Sequence, residues 1–150
     1  MALDRTKPTV TLCRGCCCGT SKKHPDYDHD AQVSSLSALL VGVADLRITD
    51  CLGPCERSNV LVVTPSADGH RGGGRSTWLG YVFDETAGSA IAEWLCDGGP
   101  GVSEFPRSLR RHRHSMKTRR RADAAETFTL VFDSLCFARC CFRILTTLTN

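Results

Sequence analysis

VTLCRGCCCGT, residues 10–20, and CLGPCERSNVLVV, residues 51–63, decide how this chain is read. Val10 to Cys13 reads as the end of a strand that runs into a loop of glycine and cysteine. Leu46 to Thr49 reads as a second short strand, and it delivers the chain to the loop CLGPCERSN. Between the two, Val33, Leu36, Leu40 and Val43 recur at helical spacing, which predicts a helix over about 30–42 with one face on a core. Asp28 and Asp30 are the candidate N-caps of that helix. Onward from the second loop, NVLVVT at 59–64 and WLGYVF at 78–83 read as buried strands, with SADGHRGGGRS at 66–76 as a glycine-rich hairpin loop. Asp84 can cap a last helix on which Ala87, Ile91, Trp94 and Leu95 share a face, stopped by Gly98-Gly99-Pro100. The order is βαβ-ββα, a small α/β sandwich.

Composition agrees with a folded domain. The chain has 150 residues, 41% hydrophobic, 7% aromatic and 23% charged, which argues against wholesale disorder. A chain of this length buries roughly 70% of its unfolded surface and does not need disulfide staples to fold. The opening MALDRTKPTVTLCRG has no apolar stretch of secretory-signal length, so a cytoplasmic location is expected. In that setting ten cysteines at short spacing read as metal or redox ligands rather than as a disulfide framework. A disulfide toxin, a secreted hormone and a collagenous chain are excluded.

The cysteines fall into three groups: Cys13, Cys16, Cys17 and Cys18; Cys51 and Cys55; Cys96, Cys136, Cys140 and Cys141. The first two groups sit in loops that each follow a strand. In a βα layout the ends of neighbouring strands come together, so both loops can present thiolates to one site. Cys13 to Cys18 is C-x4-C and Cys51 to Cys55 is C-x3-C. Four thiolates from two loops suit a two-iron, two-sulfide cluster, in which a pair of cysteines completes each iron. Gly15, Gly19 and Gly53 are expected to let the backbone wrap closely around such a group.

These spacings, with CRGCCCGTSKKHP, NVLVV, WLG at 78–80 and EWLCDGGPG, resemble the thioredoxin-like [2Fe-2S] ferredoxins, specifically an actinobacterial branch of them, over about residues 9–101. They are similar also to the related cluster-bearing subunit of respiratory NADH dehydrogenases. The resemblance implies a thioredoxin-like fold, a [2Fe-2S] cluster on Cys13, Cys18, Cys51 and Cys55, frequent homodimers and redox protein partners, a reductase and an acceptor oxidoreductase. Such a protein is expected to transfer electrons without being an enzyme itself, either alone or as a component of a larger oxidoreductase. Cys16 and Cys17 depart from the pattern, and either can substitute for Cys13 or Cys18 as a ligand; Cys51 and Cys55 are the firmer pair.

Two other chemistries fit the same residues. A structural zinc site, as in an interaction module, takes four thiolates equally well. Cys13-Arg14-Gly15-Cys16 is also C-x-x-C, the arrangement of a thiol–disulfide redox protein, although no helix signal starts after Cys16 and the second cysteine loop would then have no purpose. Cys96, beside Trp94 and Leu95, reads as a core thiol. His24, Asp26, Asp28, His29 and Asp30 read as a solvated loop with N-cap residues. There is no P-loop, dinucleotide fingerprint or hydrolase signature.

Charge divides the chain. Residues 1–106 carry nine Lys/Arg and thirteen Asp/Glu, a net of −4, and residues 107–150 carry ten Lys/Arg and three Asp/Glu, a net of +7. With GGPG at 98–101 and Pro106 as breakers, the expected organisation is a domain over 1–106 and a basic, flexible or poorly folded C-terminal extension over 107–150. RSLRRHRHSMKTRRRAD, 107–123, holds eight Lys/Arg but no aromatic for base stacking, so specific nucleic-acid recognition is not expected. Asp133, Arg139 and Arg143 interrupt the apolar run 127–148, and no transmembrane anchor is expected.

Overall fold

The computed structural model describes residues 6–15 and 17–115. Within them the chain is mixed α/β: five strands form one mixed sheet, accompanied by three α-helices. In chain order these are β1 (Thr9–Cys13), α1 (His29–Leu39), β2 (Asp45–Thr49), β3 (Leu61–Thr64), α2 (Ala67–Arg71), β4 (Thr77–Leu79), α3 (Glu85–Cys96) and β5 (Arg113–His114). The sheet runs β2-β1-β3-β4-β5, with β1 and β2 parallel and every other pair antiparallel.

Alternation in β1 puts Val10 and Leu12 into the core, where they meet Leu61 and Val63 of β3 and Leu79 of β4. The helical spacing read from the sequence buries Leu36 and Leu40, and α3 adds Ala87, Ile91, Trp94 and Leu95 to the same core. Asp28 caps α1, accepting from the Ala31 N–H at 2.8 Å, and Asp84 caps α3, accepting from the Ala87 N–H at 2.6 Å. Gly98 and Gly99, at φ +101° and +68°, end α3 by donating back to Leu95 and Trp94.

Four local expectations are corrected. The stretch 66–76 is not a plain hairpin loop, because Ser66 caps the short helix α2, its Oγ accepting from the Gly69 N–H at 3.1 Å. Its glycines are there because two backbones cross: a Cβ on Gly69 or Gly74 would lie 2.3 Å from the Pro100 carbonyl oxygen. The strand expected at 78–83 stops at Leu79, since the chain turns at Gly80, whose N–H donates to the His112 carbonyl at 2.8 Å, and continues through Tyr81 at φ +55°. Cys96 is exposed rather than buried: five positions past Ile91, it falls off the buried face of α3.

The fourth correction concerns the boundary at 106. A 3-10 turn at Arg107–Leu109 buries Leu109 to 1% exposure, and β5 then adds Arg113 and His114 to the sheet beside Leu79 and Trp78. Phe105 stands edge-on to Trp94 at 5.1 Å and carries the Arg113 guanidinium over its ring at 5.0 Å. The first basic residues of the supposed extension therefore complete the domain. The rest of that extension, with Cys136, Cys140, Cys141 and the run 127–148, lies outside the described residues. Among the described residues no helix is long and apolar enough to cross a membrane.

Candidate functional site

The two cysteine loops meet because β1 and β2 are parallel neighbours, in register from Thr9 opposite Asp45 to Cys13 opposite Thr49. Both strands end at the same edge of the sheet, and the loops leave it side by side. Backbone bonds then tie the loops together: the Arg14 N–H donates to Thr49 O and the Gly15 N–H to Asp50 O, each at 2.8 Å. The Cys13 thiol reaches Asp50 O at 3.5 Å.

Gly15 and Gly19 serve this contact. A Cβ on Gly15 would sit 2.3 Å from Asp50 O, and one on Gly19 would sit 2.2 Å from Arg14 O. Their role is to let backbones touch, where the sequence had suggested room for a cofactor. Gly53 differs, with open space around it and φ at +107°, the conformation that its turn between Cys51 and Cys55 requires.

The thiols fall into two pairs. Cys51 Sγ and Cys55 Sγ lie 3.7 Å apart at the surface, with Cys51 exposed and Cys55 half-buried. That distance fits two thiolates on one tetrahedral ion, which at about 2.3 Å per metal–sulfur bond stand about 3.8 Å apart. Cys13 and Cys18 pack together with Val60 beneath the loop, at 2% and 0% exposure, covered by Leu52 and Trp78. The pairs are close enough to affect each other's ionisation. Burial, then the adjacent Cys18 and the charge of Cys51, push the Cys13 thiol up to about 12, against a Leu52 N–H that favours the thiolate. The Cys51 side chain, then burial, and the charges of Cys51, Cys17 and Cys18 push Cys55 up to about 11. Cys17 is half-buried in the same loop, and Cys16 lies outside the described residues. Among the described residues no three His, Cys, Asp or Glu side chains converge on one metal-sized point.

Beneath the first loop lies a polar network that sequence reasoning missed. Arg14 Nη1 donates to the carbonyls of Cys13 and Cys18 at 2.9 and 3.0 Å and faces Asn59 Oδ1 at 3.4 Å, while Nη2 bonds Gln32 Oε1. Asn59 Nδ2 donates to the same Gln32 oxygen at 2.9 Å, and Gln32 Nε2 to Val82 O at 2.5 Å. Burial lowers the affinity of Arg14 for its proton. One signal was present in the sequence: Gln32, Leu36 and Leu40 are four apart, so a polar residue stands on the buried stripe of α1.

In the histidine and aspartate stretch 24–30, the loop ends at the cap Asp28, and His29 and Asp30 already belong to α1, so Asp30 is a first-turn residue and not a cap. His24 stacks on Phe83 with ring centroids 4.4 Å apart, and Tyr27 meets Phe83 edge-on at 5.1 Å. Lys23 Nζ bonds the Cys55 carbonyl, which fastens this loop to the exposed cysteine pair. No protein-family sequence model matches the chain, and no curated protein matches it.

Proposed function

We propose that this chain is an electron-transfer protein with a thioredoxin-like fold, carrying a [2Fe-2S] cluster on Cys13, Cys18, Cys51 and Cys55. The observation that carries the reading is the arrangement of thiols as two adjacent pairs on two loops joined backbone to backbone. A two-iron cluster takes one thiolate pair per iron, and a single zinc ion instead needs all four sulfurs around one point. When bound, the cluster takes up and gives away one electron, and the protein makes and breaks no substrate bond. The mixed five-stranded sheet β2-β1-β3-β4-β5, with β1 and β2 parallel, supports the α/β part of that reading.

The residues divide the work. Cys13 and Cys18 hold the buried side, where Leu52, Val60 and Trp78 keep water away. Cys51 and Cys55 hold the exposed side, where an electron enters and leaves. The partners would be a reductase and an acceptor oxidoreductase. With Arg107, Arg110, Arg111 and Arg113 inside the domain, residues 1–115 carry thirteen Lys/Arg and thirteen Asp/Glu, a net charge of zero. Docking would therefore depend on local charge around the exposed cysteine pair and not on an acidic body. The cytoplasm is the compartment that keeps such thiols reduced for assembly. A thiol–disulfide role is disfavoured because a dithiol enzyme needs an accessible thiol of lowered pKa, and Cys13 is buried with its pKa raised.

Anaerobic purification tests the reading. The expected product is brown, with visible charge-transfer absorption that dithionite bleaches. Cys51→Ser and Cys55→Ser lose that absorption, and Cys96→Ser keeps it. Colourless protein holding stoichiometric zinc, from cells supplied with iron, contradicts it.

A further inference from the structure

Arg14 is costly where it stands. Its guanidinium is half-buried, and among the described residues its hydrogen-bond partners are neutral oxygens: the Cys13 and Cys18 carbonyls and the amides of Asn59 and Gln32. The ion pairs of the described residues involve Asp68 and Asp84, with Arg71, Arg111 and His112, and none includes Arg14. A cation held away from water with no carboxylate in ion-pair contact, the charge of Asp30 acting on it only from further off, is unfavourable unless more negative charge offsets it. The loop that encloses it supplies two of the four thiolate ligands under the iron–sulfur reading, on which this inference rests. Two ferric ions, two sulfides and four thiolates sum to a net negative charge.

We propose that Arg14 sets the reduction potential of the site, its fixed positive charge favouring the reduced state, which carries one more negative charge than the oxidised state. One electron arrives from a reductase and one ferric ion becomes ferrous; no bond forms or breaks and no proton is required. The guanidinium cannot swing away in response, because the two cysteine carbonyls, Asn59 and Gln32 fix it at Nη1 and Nη2. Gln32 and Asn59 are positioning residues, since their own bond at 2.9 Å locks the acceptors that hold the charge. Charge beside a cluster and hydrogen bonding around its ligands are both recognised determinants of potential.

The test is a dye-mediated redox titration of the full-length chain, read by visible absorption, for wild type, Arg14→Gln, Arg14→Lys and Gln32→Glu. In Arg14→Gln the ratio of reduced to oxidised protein at a fixed ambient potential falls about tenfold, which is a midpoint about 59 mV more negative. Arg14→Lys keeps the charge and recovers most of that shift. Gln32→Glu sets a carboxylate against the guanidinium and moves the midpoint in the same direction as Arg14→Gln. An unchanged midpoint in Arg14→Gln overturns the proposal. If that variant retains no cluster, Gln32→Glu decides, and an unchanged midpoint there overturns it equally. Loss of the cluster in both variants with circular dichroism unchanged also contradicts it, because Arg14 would then be a scaffold of the loop. Iron-free wild type contradicts the iron–sulfur reading itself and this proposal with it, whereas an iron-loaded protein indifferent to Arg14 contradicts this proposal alone.

Discussion

Gly15 is the residue on which the geometry of the site depends most directly. Its N–H bonds Asp50 O at 2.8 Å, and the space a methyl group would need is 2.3 Å from that same oxygen. Gly15→Ala must therefore separate the loops, at a cost of about 1–3 kcal/mol by the usual measure of overpacking. The expected result is a lower urea midpoint together with weaker metal retention; an unchanged midpoint contradicts the loop contact. Titration of the thiols gives a second prediction at this scale. Cys13 and Cys55 rise from 9.0 to about 12 and about 11 in the folded protein, so the metal-free fold holds their protons more tightly than the unfolded chain does. That stabilisation is complete below about pH 9 and is lost as pH rises through the folded values. Urea unfolding of reduced, metal-free protein should show stability falling above about pH 9, with a shallower fall in Cys13→Ala. Equal slopes in the two proteins contradict it. What the sequence hid at this scale is the partner across the chain. Arg14 reads as a spacer between cysteines, and only the approach of Gln32, eighteen positions on, and Asn59, forty-five positions on, turns it into a half-buried, fixed charge.

At the scale of elements, local chemistry and tertiary contact divide cleanly. The capped helices were legible because a cap is a short-range bond: Asp28 and Asp84 lie three residues from the N–H groups they accept. Asp84→Ala should cost about 1 kcal/mol and lower the melting temperature, since α3 loses its cap and Arg111 loses its ion pair at 3.2 Å. An unchanged melting temperature contradicts this. The strand-to-loop placement of both cysteine groups was legible too, because β-rich runs preceded each of them. The glycine run at 69–74 was not, since its reason is the backbone at Pro100–Gly101, some thirty residues away. Cys96 was misread because its sequence neighbours Trp94 and Leu95 are buried, while helical geometry turns the next position outward.

At the scale of the whole molecule, charge marked the boundary in the wrong place. Basic residues begin at Arg107, but Leu109 sits in the core at 1% exposure and β5 closes the sheet at Arg113–His114. A two-residue strand among arginines carries no alternation for a reader of sequence to find. A chain ending after residue 115 should therefore unfold cooperatively, and one ending after residue 106 should be less stable by at least the loss of one buried leucine, about 2–5 kcal/mol. Equal stability of the two contradicts the boundary drawn from the sheet. The proposed function rests on the juxtaposition of two thiol pairs at one end of the sheet, and one measurement addresses it directly. Iron and acid-labile sulfide are quantified in the anaerobically purified full-length chain, followed by electron paramagnetic resonance after dithionite reduction. The account predicts two irons and two sulfides per chain and a spin one-half signal that disappears in Cys51→Ser. Stoichiometric zinc without sulfide, or iron and sulfide retained unchanged in Cys51→Ser, would contradict it.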